Sequence, residues 1–223
     1  MAKTMVVIGV TGGIASGKSL VAQQLGRLGA EVLEADQIGH AVLRDPAVRA
    51  ALHARWGAGV LDAAGEIRRS AVAEKVFAPP PDGPRELAFL EQVTHPRIAA
   101  HLHDRLRALA QQGDVPVVVL DAAVLYKAGW DAYCNIIIFV DADSAVRAVR
   151  ARQRGWSDQQ WQAREAAQPA LASQRARADV VLDNSGTREQ LHAHVEKFWQ
   201  SLQADRPSTN FRERPFTNAP KKP

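Results

Sequence analysis

The 223-residue chain has a single cysteine, Cys134. One thiol excludes an intrachain disulfide framework and a cysteine-based metal cluster. A reducing compartment, the cytoplasm, is its natural setting. Cys134 adjoins the apolar run Ile136–Val140 and reads as a small buried hydrophobe rather than a reactive thiol. No apolar run approaches the roughly 20 residues of a membrane-spanning helix, so no membrane partner is expected. Met1–Thr4 leads straight into a strand-like stretch, and no signal peptide is expected ahead of it. Internal repeats and heptads are missing as well. So is the N-K-x-D motif that a GTPase would use to read its base.

A large excess of one charge is also lacking. The formal net charge is +4, and the segment from Ala204 onward carries most of it, with five basic residues against two acidic ones. The rest of the chain is close to neutral, which argues against a nucleic-acid partner. Residues 204–223 contain four prolines and few large apolar groups. They are expected to form a disordered basic tail. The remaining balance, 46% hydrophobic and 23% charged, is that of an ordinary globular protein. The length fits one domain with an embedded sub-domain, or two small domains.

Short apolar runs predict the strands Met5–Val10, which is rich in β-branched residues, Val115–Leu120, Ile136–Val140 and Val180–Leu182, and the short Glu31–Glu34 is read as a fifth. Helical patterns separate them. Parallel strands need such crossovers, so the expected class is α/β with a mainly parallel five-stranded sheet. From about Gln37 to Gln112 no strand pattern appears. That stretch is too long for one crossover and is predicted to be a helical insertion, broken in two by Pro79–Pro84. The core is then 1–36 with 113–203, and the insertion 37–112.

Chemistry enters at Gly12-Gly13-Ile14-Ala15-Ser16-Gly17-Lys18-Ser19. This is G-x-x-x-x-G-K-[ST] placed between a predicted strand and a predicted helix, the context that gives the motif meaning. Its glycines let backbone N–H groups turn inward around a polyphosphate, and the following helix, beginning near Leu20, adds the partial positive charge of its N-terminus. Lys18 brings an ammonium to the β- and γ-phosphates, and Ser19 a hydroxyl to Mg²⁺. A loop of this kind predicts a bound nucleoside triphosphate. It does not say where the phosphoryl group goes. A small chain with a helical insertion after the second strand suits a small-molecule kinase, the insertion holding the acceptor. Asp36 lies just past that strand. It could hold the acceptor hydroxyl and take its proton, or it could cap the next helix; spacing leaves both open.

Several segments together resemble the dephospho-coenzyme A kinase family. They are Val10–Ser19; Glu34-Ala35-Asp36; Ala64-Gly65-Glu66-Ile67-Arg68-Arg69 with Val76-Phe77; Thr94-His95-Pro96-Arg97-Ile98; Arg164 with Gln168; and Ala178–Gly186. They run in order from about Met5 to Leu202. The resemblance implies a P-loop core, a helical substrate domain and a lid, at about 143–178. It implies phosphorylation of the 3′-hydroxyl of dephospho-CoA by ATP, the last step of coenzyme A synthesis; separately from it, a monomer or weak homo-oligomer is expected. Other readings are a kinase for another nucleoside-like or small hydroxylic acceptor, and a nucleotide-binding protein with weak catalysis.

On this resemblance Lys18, Asp36 and Arg150 are the catalytic candidates. ATP is expected at Gly12 through Leu20, Arg154, Asn184 and Gly186, with the last two near the adenine. The acceptor is expected at Asp36, His95 and Arg164, and Mg²⁺ at Ser19 and Asp121. Arg147, Arg150 and Arg154 fall at i, i+3 and i+7 and share one helical face, as closing arginines would, while Arg152 points elsewhere. One segment departs from the family pattern D-x-P-L-L-x-E: Asp121 is followed by Ala123 for the proline and Lys127 for the glutamate. That last change reverses a charge.

Overall fold

A computed structural model describes residues 5–166 and 168–205. The expected tail, 204–223, lies outside the described residues except for Ala204, which is still helical, and Asp205, which follows it. The five predicted strands are present as β1 (Val6–Gly12), β2 (Glu31–Glu34), β3 (Val117–Asp121), β4 (Ile136–Asp141) and β5 (Val180–Asp183). All pair in parallel, in the order β2-β3-β1-β4-β5. Every residue of β1 is buried. A central parallel strand is covered on both faces, which is why its sequence is a continuous apolar run rather than an alternating one.

Helices link the strands. α1 (Lys18–Arg27) follows β1, and α2 (Ala35–Val42), α3 (Pro46–Trp56), α4 (Arg69–Val76) and α5 (Asp82–Gln112) lie between β2 and β3. α6 (Ser144–Gln153), α7 (Asp158–Ala166) and α8 (Leu171–Ala176) lie between β4 and β5, and α9 (Arg188–Ala204) follows β5. Val6, Ile8 and Val10 share one face of β1, by the period of two along a strand. They pack with Val21 and Leu25 of α1 and with Leu191 and Val195 of α9. Each such side chain contributes about 1.5–3 kcal/mol when fully buried. Thr187 caps α9 through a capping box with Gln190. On the other face of β1, Gly9 leaves room for Cys134, whose Sγ would stand 2.7 Å from an added Cβ. The thiol donates to Trp130 O at 3.7 Å, and burial pushes its pKa up, away from reactivity.

The chain divides into two compact units, one running up to Glu34 and resuming at Asp104, the other Ala35–His103. The division falls inside α5 rather than at its end. The break expected at Pro79–Pro84 is confined to 77–81, and Pro84 sits within α5 near its start. Pro near a helix start costs little, because the first N–H groups have no intrahelical partner. α5 also runs through Pro96. Pro96 cannot donate to Gln92 O. Around it, Thr94 Oγ1 donates to Leu90 O and Arg97 Nη1 to Val93 O, at 2.8 and 2.9 Å.

In the second unit Glu86 of α5 is a polar hub. Its carboxylate accepts from Arg55 Nε and Nη2 at 2.9 and 2.8 Å, from Trp56 Nε1 at 2.7 Å and from Arg85 Nε at 3.2 Å. These donors, Arg55 first and Trp56 next, hold its pKa at about 2 against an ordinary 4.5. A carboxyl whose folded pKa is depressed stabilises above its unfolded pKa and loses that contribution as pH falls through the folded one. Glu86→Gln is therefore expected to lower Tm at pH 6. The gap to wild type should narrow between pH 4.5 and about 2. Melting curves across that range check this; a gap independent of pH would show that Glu86 does not act through its charge.

Candidate active site

In a parallel sheet the ligand site lies beyond the carboxyl ends of the strands, where successive connections leave in opposite directions. Here that point is the end of β1, between β3 and β4. The 12–19 segment begins there and ends in α1. Its turn requires positive φ at Gly12 (+146°), Ala15 (+59°) and Gly17 (+102°). Gly17 is the N-cap of α1 and has the Asn184 side chain packed against its Cα. Lys18 Nζ donates to the Gly12 and Gly13 carbonyls at 3.1 and 2.9 Å, folding the ammonium back over the loop.

A cleft of about 350 Å³ opens beside this loop. Ala15, Gly17, Ser19 and Leu20 form one side, Arg150, Gln153 and Arg154 of α6 another, and Asn184 and Arg188 a third. Arg150 Nη1 is buried and has no hydrogen-bond partner among the described residues. Burial, and secondarily the charge of Arg154, push its pKa down. Both are costs that an anion in the cleft would offset.

The structure thus brings together the phosphate loop, Leu20, Arg150, Arg154 and Asn184. Asn184 also braces the loop itself. It is 3% exposed, and its Nδ2 donates to Ser16 O at 2.6 Å. Gly186 does not line the cleft; it lies under the capping side chain of Gln190. Arg147 shares a helical face with Arg150 and Arg154 by spacing but does not open on the cleft. It is turned inward, buried, and paired with Glu165 at 2.6 Å. Helical spacing gives the angle at which a side chain leaves, but not what stands beside it. Arg152 faces away, as expected, and pairs with Asp158.

Asp121 ends β3, in register with Val10 on one side and Glu34 on the other. Lys127 is exposed on the turn after that strand. Arg164, on α7, lies with its guanidinium 4.5 Å from the Trp156 ring centre. Asp36 and His95 belong to the second unit. Asp36 is exposed in the first turn of α2, past the position of an N-cap, and His95 is half-buried on α5. Gln153 and Arg188 are cleft residues that the motifs did not flag. Arg188 was findable, as it stands two residues past Gly186.

Among the described residues no group of three or more His, Cys, Asp or Glu could hold a metal alone. Ser19 brings an exposed hydroxyl to the cleft, and Asp121 is a carboxylate at the end of β3 that is not part of the cleft's lining. That sparse oxygen set fits Mg²⁺, which keeps several waters and arrives with substrate phosphates.

Comparison with known proteins gives a consistent result. The family model described as dephospho-CoA kinase matches residues 6–190. A dephospho-CoA kinase of Geobacter sulfurreducens is 40% identical over 198 residues, covering 87% of this chain and 98% of that protein. A crystal structure of a Thermus thermophilus protein superposes with a TM-score of 0.73 at 31% identity, over 90% of this chain and 99% of that one. The dephospho-CoA kinase from Campylobacter jejuni has a TM-score of 0.66 at 21% identity, over 89% and 97%, a likeness of fold.

The Asn184 contact predicts a loss of nucleotide affinity on truncation. Asn184→Ala removes the donor to a buried loop carbonyl, worth about 1–1.5 kcal/mol, and should weaken ATP binding about tenfold. Calorimetric titration measures it, and unchanged affinity would mean that the loop holds its shape without Asn184.

Proposed function

The chain belongs to the dephospho-CoA kinase family, and from that premise we propose that it transfers the γ-phosphoryl group of ATP to the 3′-hydroxyl of dephospho-CoA, giving CoA and ADP. The observation that carries the reading is the buried Arg150 Nη1, without a hydrogen-bond partner among the described residues, beside a loop shaped for phosphates. That arrangement suits a reaction in which negative charge spreads over phosphoryl oxygens.

Each residue has a part in this proposal. The backbone of Gly12–Ser19 and the Lys18 ammonium bind the β- and γ-phosphates. Arg150 meets charge developing on the transferred group, with Arg154 beside it on the nucleotide. Asn184 keeps the loop in shape, and Gly186 leaves room for the capping side chain of Gln190. Asp36 orients the 3′-hydroxyl and accepts its proton as the oxygen–phosphorus bond forms and the bond to ADP breaks. His95 and Arg164 contact the acceptor. Ser19, and Asp121 through water, would hold Mg²⁺, which when bound neutralises phosphate charge. Lys127 stands where the family's pattern has a glutamate and is given none of these roles.

ADP release with dephospho-CoA, set against adenosine and other nucleosides, tests the acceptor. Turnover should be selective for dephospho-CoA, and folded, ATP-binding protein that gives none would overturn the reading. Lys18→Ala should lower kcat roughly 10²–10³-fold, as when one donor to the transition state is lost. Asp36→Asn should lower it roughly 10²–10⁴-fold, as for a general base. A wild-type rate in Asp36→Asn would remove Asp36 from the mechanism.

A further inference from the structure

Two polar side chains outside the described roles are almost fully buried against the phosphate loop. Arg147 is 6% exposed and Gln174 is 2% exposed. Residues of these types are rarely so buried without a specific partner. Gln174, on α8, accepts from Thr11 Oγ1 at 2.8 Å and donates through Nε2 to Pro169 O at 2.9 Å. Arg147, on α6, donates through Nε to Ala142 O at 3.0 Å and through Nη1 to Glu165 Oε1 of α7 at 2.6 Å. Its guanidinium lies 5.7 Å from the Trp161 ring centre. A Cβ at Gly13 would stand 2.8 Å from Arg147 Nη1, so the loop runs close against the guanidinium.

Thr11 and Gly13 bracket Gly12, where the loop turns at φ +146°. A buried ion pair is a poor device for stability alone, since well-packed apolar residues serve as well. The contacts here do have direction: Glu165 of α7 holds the Arg147 guanidinium, which packs from α6 against Gly13, and Gln174 of α8 bonds Thr11. We propose that Arg147 and Gln174 are positioning residues that tie the α6–α8 segment to the phosphate loop and so aim Arg150 at the transferred phosphoryl group. Arg150 follows Arg147 by one helical turn, at i+3. Whatever fixes Arg147 against Gly13 therefore sets where the Arg150 guanidinium stands in the cleft.

The assignment rests on the chain being a kinase of the proposed kind. Arg147 and Gln174 act through Arg150 and the loop, not on substrate. The loop backbone, Lys18 and the Asn184 brace hold ATP in its ground state, and loss of the Arg147 and Gln174 ties leaves the Lys18 and Asn184 bonds in place. Loss of the ties should therefore reach kcat before it reaches ATP affinity.

The test compares wild type with Arg147→Met, Arg147→Lys, Gln174→Met and the double variant Arg147→Met/Glu165→Met. Melting temperature, ATP Kd by calorimetry and kcat with dephospho-CoA are measured on the full chain. Arg147→Met and Gln174→Met should each lower kcat roughly 10–100-fold while ATP Kd stays within about threefold. Arg147→Lys should recover most of the rate. The double variant should be no slower than Arg147→Met, because both changes remove one contact. A kcat within about twofold of wild type in folded Arg147→Met, or a Kd that rises in step with the fall in kcat, would overturn the proposal. If Arg147→Met does not fold, the double variant is read in its place, as it leaves no lone buried charge. Failure of both to fold would also overturn it, in favour of a structural role alone. A wild type that releases no ADP with dephospho-CoA refutes the acceptor instead. The same variants are then compared on ATP hydrolysis without acceptor, with the same order of rates expected.

Discussion

The first unit is organised around one constraint: a phosphate-binding loop must hold several consecutive N–H groups inward, in a backbone that chains do not adopt freely. Positive φ is cheap at Gly12 and Gly17 but not at Ala15, which sits at +59°. A residue held in that region costs about 1–3 kcal/mol and persists only where its surroundings impose it. Here the surroundings do. β1, buried throughout, fixes where the loop begins, and α1 fixes where it ends. Lys18 bonds back to Gly12 and Gly13, and Asn184 grips Ser16 O from beyond β5. The loop is thus braced from both ends of its own segment and from a residue far along the chain.

Pairing separates the arginines around it. Arg147, Arg152, Arg175 and Arg177 each have a carboxylate, from Glu165, Asp158, Asp141 and Asp131 respectively. Those pairs knit the segment between β4 and β5 to itself and to the sheet. Where they are exposed they contribute little to stability. Arg150 is different: one of its nitrogens is buried without a partner among the described residues, and its neighbour Arg154 repels it. A cation in that position is costly unless an anion joins it, which makes the cleft selective for negative charge before any substrate contact is considered.

The second unit solves a separate problem. It is helical, with its own buried Val48, Leu52, Val60, Val72, Ile98 and Leu102. Its polar centre, Glu86, fixes α3 against α5 through Arg55 and Trp56. The edge contact of Trp56 with Phe89, and Arg55 above the same ring, add to that join. Asp36 and His95 are carried on this helical frame, on α2 and on the part of α5 that runs through Pro96.

Much of this was legible in the amino-acid order. The central strands β1, β3 and β4 were legible as apolar runs because a parallel strand covered on both faces is written that way, while the edge strands β2 and β5 are short and partly exposed. The phosphate loop was legible because its glycines, lysine and serine are neighbours in the chain and need only their own backbone. The motif order also carried the family. The length of α5 was less legible: Pro84 and Pro96 read as breaks, yet one lies near the helix start and the other is accommodated mid-helix. Local sequence reports a residue's neighbours within a turn or two, so it could place Arg147, Arg150 and Arg154 on a common face but not tell them apart. Only the tertiary structure decided that Arg147 turns inward to Glu165 while Arg150 opens on the cleft. It likewise decided that Asn184 braces Ser16 and that Gln174 meets Thr11, because those partners are 168 and 163 residues apart. Their contact depends on how the sheet brings distant strand ends together.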